Sequence, residues 1–266
     1  MGVLRWAVLI IVAAGASVAA DEEIGRQDVD VYNRACRRCH GSVGDGRGYE
    51  AWMMGEKARD LRTGVYKYSS MRDGAPAEGD LDRIIKRGIP RTAMPHHALM
   101  SETDRRAVVR FLQERFPGHF VENRAPIEIP PVPVTLMTPA SLERGRHLFG
   151  LLQCNQCHGH AALGDGPAAG TLPDDTWGDG QRPADLTQMV LRSGPKPEDV
   201  FRTVFNGLPG TSMPTYAEVF SEADGTVIRK GDAWHLVAYI RSFSADARRA
   251  DPSDGANYSD VWLQQP

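Results

Sequence analysis

Cys36-Arg37-Arg38-Cys39-His40 and Cys154-Asn155-Gln156-Cys157-His158 contain all four cysteines of the 266-residue chain. Both read C-x-x-C-H, and both run directly into a glycine, Gly41 and Gly159. Further matches follow each motif. Gly-Asp-Gly occurs at 44–46 and 164–166, then Arg59-Asp60-Leu61 and Ala184-Asp185-Leu186. Next come Gly88-Ile89-Pro90-Arg91-Thr92-Ala93-Met94-Pro95 and Gly207-Leu208-Pro209-Gly210-Thr211-Ser212-Met213-Pro214. The cysteines are offset by 118 positions and the methionines by 119. An offset this constant marks a duplicated unit of about one hundred residues.

The spacing has a chemical reason. Two thiols three residues apart reach the two vinyl groups on one edge of a haem and become thioethers, and the adjacent imidazole then lies under the iron. Cys36, Cys39, Cys154 and Cys157 are therefore the candidate attachment residues, and His40 and His158 the candidate proximal ligands, for two covalently bound haem c groups. Zinc ribbons and thiol oxidoreductases also use C-x-x-C, but zinc needs further Cys or His at matching positions, which the repeat lacks. Two disulfides are the other use of four cysteines, and a spacing of three does not suit them.

The sixth ligand calls for a soft or imidazole donor. Met94 and Met213 occupy equivalent positions, 54 and 55 residues after their histidines, each between a Gly-x-Pro loop and a proline. His96, His97 and Met100 follow Met94 and compete with it. His-Met ligation would give both haems a higher potential than a bis-His set.

The rest of the chain supports export. In the first twenty residues Arg5 is the only charge, Trp6–Val12 is apolar, and Val18-Ala19-Ala20 suits a cleavage site. As a retained helix, Val3–Ala20 would span ~27 Å, close to a bilayer core of ~30 Å. The segment reads as a signal peptide or as an N-terminal anchor. Either way, the remainder is expected in the periplasm, soluble or held to the outer face of the cytoplasmic membrane.

Residues 21–125 hold 19 basic against 17 acidic side chains, and residues 126–266 hold 11 against 17. Such fields steer docking of redox partners. There is no basic run of the kind that binds nucleic acid.

Helices are expected at Asp28–Ala35 and Ser141–Gln153 ahead of the motifs, the latter capped by Thr138-Pro139. Each copy should also close on a helix. One begins at a capping-box-like Ser101–Asp104 and carries Ala107, Val108, Phe111 and Leu112. The other spans Ala233–Phe243. No stretch alternates like a strand. Proline at 126, 130, 131, 133 and 139 predicts an extended linker. The expected fold is mostly α, with two tandem domains at 21–117 and 140–244, a Pro-rich linker at 118–139, and a polar tail at 245–266. Trp52–Ala77 exceeds a minimal loop and is assigned only to covering the first haem edge. Phe220–Gly231 reads as a surface insertion.

These motifs, loops and terminal helices resemble the dihaem cytochromes c, built from two monohaem cytochrome c domains. The resemblance spans about residues 26–116 and 140–244. It implies that the first and last helices of each domain cross, with Gly145 and Phe149 meeting Trp234 and Tyr239 in the second copy. The first copy has no equivalent glycine. Arg59 and Arg182 become candidate partners of the haem carboxylates, or else ordinary exposed arginines.

The expected role is single-electron transfer between redox proteins, as a free carrier or as a subunit beside a quinol-oxidising complex, a terminal oxidase or a periplasmic dehydrogenase. The alternative is a peroxidase-type enzyme with an open or releasable site at the first haem. Thiosulfate-oxidising dihaem enzymes need an extra cysteine ligand, and every cysteine here is consumed.

Overall fold

The computed structural model describes residues 25–54, 57–72, 74–120, 126–188, 190–221, 227–229 and 231–244. The expected leader or anchor at 1–20, the tail at 245–266 and the middle of the 220–231 insertion lie outside these residues. Among the described residues the structure is helical, without strands; one isolated bridge joins Leu191 and Gly194. No described helix is long and apolar enough to cross a membrane.

The first copy contains α1 (Arg26–Ala35), α2 (Arg37–His40), α3 (Glu78–Arg87) and α4 (Glu102–Arg115). The second contains α5 (Pro139–Leu151), α6 (Cys154–His158), α7 (Pro197–Asn206), α8 (Ala217–Ser221) and α9 (Asp232–Ser242). Single 3-10 turns sit between them, including Leu61–Thr63.

The helix ends follow local chemistry. Thr138 Oγ1 accepts from Ser141 N–H at 3.4 Å, and Pro139 occupies the first turn of α5. Ser101 Oγ caps α4 by accepting from Asp104 N–H at 3.0 Å. Only half of the expected capping box forms, because the Asp104 carboxylate lies toward Arg34, 3.8 Å away. Gln153, at φ +59°, breaks the chain between α5 and α6.

Each copy closes on its own crossing of first and last helices. In the first copy α1 meets α4 without a glycine. Tyr32 stacks on Phe111 with ring centroids 4.1 Å apart, and Arg110 grips buried Asp28 at 2.7 and 3.0 Å. In the second copy α5 and α9 approach more closely at Gly145, where an added Cβ would lie 2.0 Å from the His235 carbonyl oxygen. Phe149 packs edge-on to Tyr239 at 5.5 Å, as the resemblance implies. Trp234 instead turns to Phe201 on α7, 4.6 Å away, so the backbone of His235 is what faces Gly145.

A buried ion pair reinforces this crossing. Arg144 on α5 donates to both carboxylate oxygens of Asp232 on α9, and Arg229 N–H donates to the same group at 2.9 Å. Burial alone would raise the Asp232 pKa; the bonds from Arg144 and Arg229 outweigh it and hold the pKa below the usual carboxylate value. A depressed folded pKa gives stability that is present above the unfolded value of about 3.9 and lost as pH falls below it. Asp232→Asn should therefore cost about 2 kcal/mol at neutral pH. It should also flatten the fall in stability as pH drops below about 4. Urea midpoints measured across that range check both expectations.

The linker residues Ile129, Val132, Leu136 and Met137 pack on the second core, and Ile127 N–H donates to Ser70 O at 3.0 Å in the first copy. The copies also meet directly, through α3 and α7, in a near-symmetric seam. Arg87 Nη2 donates to Ser193 O at 2.5 Å, and Asn206 Nδ2 donates to Ser69 O at 3.0 Å. Asp80, Arg83 and Arg87 correspond to Asp199, Arg202 and Asn206 at the offset of 119. Arg87 and Arg202 both bind buried Asp199, at 3.1 and 3.0 Å. Lys67 reaches Asp175 at 3.0 Å and Lys57 reaches Asp179 at 2.7 Å. Part of Trp52–Ala77 thus joins the two copies, a role its sequence did not reveal.

Candidate functional site

The C-x-x-C-H segments form the short helices α2 and α6, and the chain after each folds back over them. Gly46 N–H donates to His40 O at 3.0 Å and Gly48 N–H to Cys39 O at 3.0 Å. Gly164 N–H donates to His158 O at 2.9 Å and Gly166 N–H to Cys157 O at 3.1 Å. A Cβ on Gly48 or Gly166 would lie 2.2 or 2.3 Å from a carbonyl oxygen of the helix beneath, so this close approach requires glycine. These contacts correct the repeat alignment. The two Gly-Asp-Gly strings differ by 120 positions, yet the backbone pairs Gly46 with Gly164 and Gly48 with Gly166, keeping the offset of 118.

The imidazoles are held identically. His40 Nδ1 lies 3.0 Å from Arg59 O, and His158 Nδ1 lies 3.0 Å from Ala184 O. A carbonyl only accepts, so Nδ1 carries the proton and Nε2 is left unprotonated, its lone pair free to bind a metal. Burial lowers both imidazole pKa values, and in the first copy the Arg59 charge lowers it further, which favours the neutral ring that a metal needs. The x-Asp-Leu repeat at 59–61 and 184–186 is thus a clamp. Its first carbonyl orients the histidine, its Asp accepts from the N–H two residues on, and its Leu N–H returns to Gly44 O or Ala162 O. The Arg59 side chain lies over the Trp177 ring, 3.3 Å from its centroid, and Arg182 is exposed.

The methionine loops are duplicates in atomic detail. Ile89 N–H donates to Met94 O and Leu208 N–H to Met213 O, both at 3.1 Å. Thr92 Oγ1 accepts from Met94 N–H while donating to Ile89 O, and Thr211 does the same for Met213 and Leu208. Gly88 and Gly207 both adopt φ +70°. Arg91 stands at φ +58° where the second copy has Gly210 at φ +80°, so the first loop keeps its shape with a residue that seldom adopts it. Of the competing donors, Met100 packs against the first core, and His97 fixes the loop through its backbone N–H to Ile85 O.

The residues present fit covalently attached haem. All four thiols are free. Burial raises Cys36 to about 12 and Cys154 to about 11, so both rest as protonated thiols in the cofactor-free chain. Among the described residues no three His, Cys, Asp or Glu side chains converge as a metal cage would require. Residues 25–112 and 140–240 match the family described as cytochrome c oxidase, cbb3-type, subunit III. The chain belongs to that family.

Membership implies covalently bound haem c, and the chain is an electron-transfer cytochrome. It is similar to a chain of the reducing HAO-like protein complex of Kuenenia stuttgartiensis, at 30% identity and a TM-score of 0.70. That similarity covers 84% of this cytochrome and 98% of the other chain. The comparison with curated proteins found no match. Sequence reasoning missed the carbonyl clamp, although the x-Asp-Leu repeat was its visible signal. It also missed the seam, whose signal was the repeated Asp-x-x-Arg of α3 and α7.

Proposed function

We propose that the chain carries two haem c groups and passes single electrons between redox proteins outside the cytoplasm. Cys36 and Cys39 would hold the first haem and Cys154 and Cys157 the second. His40 and Met94 would hold one iron, His158 and Met213 the other. Each haem supplies a one-electron ferric/ferrous couple when bound. The observation that carries this reading is the strict duplication, in both copies, of the clamp that bares a histidine Nε2 and the threonine-braced methionine loop. Each clamp fixes the tautomer and makes Nε2 more basic. Each loop holds its thioether without help from a helix. Two ligands per iron leave no open position, which suits a carrier rather than an enzyme.

The partners are read more coarsely. The family description concerns an oxidase subunit, and the similar structure is that of a protein complex. Both support a place beside other redox proteins, a terminal oxidase first among them. Tyr49, Trp52 and Met53 are 71, 80 and 63% exposed. They flank Glu50, whose carboxylate lies 4.0 Å from Cys39 Sγ. An apolar surface beside a thioether is where such a protein would dock. The apolar first twenty residues support export, with the anchor retained or removed.

The test is the absorption spectrum of the oxidised and reduced protein, with and without carbon monoxide. The weak red band of thioether-ligated ferric haem should have the intensity of two haems, and carbon monoxide should not shift the reduced spectrum. A band worth one haem, or a shift, would sink closed ligation at one site and bring back the peroxidase-type alternative at Met94. Fractionation separates the two settings: a carrier leaves with the periplasm, and a subunit stays with membranes.

A further inference from the structure

The two histidine clamps share one geometry but not one charge. In the first copy the clamping carbonyl belongs to Arg59, in the second to Ala184. The backbone of Arg59 therefore touches His40 while its side chain reaches the other copy, where the guanidinium lies 3.3 Å from the Trp177 ring centroid. Trp177 is itself fixed. Its indole Nε1 donates to Thr63 Oγ1 at 3.2 Å, its backbone N–H donates to Asp175 Oδ1 at 3.0 Å, and its ring closes against Gly210 in the Met213 loop. A guanidinium stacked on a fixed indole is held by cation–π attraction and is kept from swinging into water.

The neighbouring charges do not cancel it. Asp175 and Asp179 also attract Arg59, but Lys67 at 3.0 Å and Lys57 at 2.7 Å already pair with them, so three cations face two acids and the cluster stays positive. The adjacent clamp residues differ in the same sense. Asp60 is gripped by Arg62 at 2.8 and 2.9 Å, whereas Asp185 takes its hydrogen bonds from the neutral Thr187 and Gln188. Arg91 also acts on Asp185, but no cation acts on His158, whereas the residue that clamps His40 is itself a cation. Across a low-dielectric interior, such a charge stabilises the ferrous over the ferric state.

We propose that Arg59, held by Trp177 of the other copy, raises the reduction potential of the first haem above that of the second. This inference rests on the two-haem reading above. With both haems bound, one electron would pass from the ferrous second haem to the ferric first haem, with no other reactant consumed, and would leave through the first copy. Arg59 acts on the iron by its charge and on His40 by its carbonyl, so it is a positioning and tuning residue. Its side chain can be changed while the clamp stays.

The test is a spectroelectrochemical titration of the dihaem protein and its Arg59→Gln, Arg59→Lys and Ala184→Arg variants, with covalent haem counted in each. The wild type should show two separated midpoints. R59Q should lower the upper one, by about tenfold in the electron-sharing equilibrium, which is about 59 mV for a one-electron couple. R59K should restore most of the loss, and A184R should raise the lower midpoint and narrow the gap. If R59Q keeps two haems and the methionine band but leaves the upper midpoint in place, the inference is overturned while the two-haem reading stands. If the wild type holds other than two haems, both fail. Should R59Q not take up haem, Trp177→Leu, which frees the cation to water, must lower the same midpoint, and an unchanged value overturns the proposal.

Discussion

Replacing both Cys154 and Cys157 by alanine should halve the covalent haem of the protein, from two per chain to one, and leave the first copy's spectrum unchanged. The reason is that the two attachment sites are built separately. α6 and the turn over it hydrogen-bond within the second copy, as α2 and its turn do within the first. The first copy has its own core around Tyr32, Leu81, Val108 and Phe111, and the second has one around Leu148, Phe201, Val204 and Trp234. The first site should therefore mature when the second cannot. The second core should suffer more than a loss of two sulfurs. Aromatic residues make up only 8% of the chain, so a large flat cofactor would supply packing that side chains do not. Haem per chain by mass, together with limited proteolysis, checks the expectation. Retention of two covalent haems would remove Cys154 and Cys157 from the attachment role. Loss of both would show that the copies mature as one unit.

Gly145→Val should be strongly destabilising, costing about 3 kcal/mol or more. In a unit of about one hundred residues this lowers the melting temperature by more than about 10 °C. The new Cβ would lie 2.0 Å from His235 O and 2.6 Å from the Tyr239 Cβ. Neither atom is the end of a flexible side chain, so α5 and α9 must separate. Separation breaks the Ser141–His235 contact at 2.8 Å and the Phe149, Tyr239 and Phe243 ring cluster. Gly150 on the same helix is the control, because a Cβ there meets nothing within 4 Å. Gly150→Ala should stabilise by about 0.5–1 kcal/mol through helix propensity alone. Thermal melts of the two variants, followed at α-helical wavelengths, separate crowding at the crossing from loss of glycine as such.

The crossing also shows how far the residue order could be read. Gly145 was placed at the crossing by the family resemblance, and it does lie at the contact. In the first copy the same contact is carried by Tyr32 stacked on Phe111, which no spacing rule distinguishes from ordinary core. Arg59 was noticed for its charge, yet half of its role lies in its carbonyl, a group that every residue has. The Gly-Asp-Gly strings invited a match two residues out of step, because the letters repeat while the backbone pairing follows glycines that must pass close to a helix.

What the sequence determined by itself is what acts over a few residues. Two thiols and an imidazole within five positions, and a threonine two residues before a methionine, carry their geometry in covalent spacing and local hydrogen bonds. The duplication follows for the same reason, since a local device repeated in the chain repeats in space. Only the tertiary structure decided which carbonyl clamps each histidine, that Arg59 leans on Trp177 more than a hundred residues away, and that α3 and α7 exchange matched contacts across a seam. Those partners are chosen by packing and charge pairing between distant segments, and spacing along a chain does not encode distance across it.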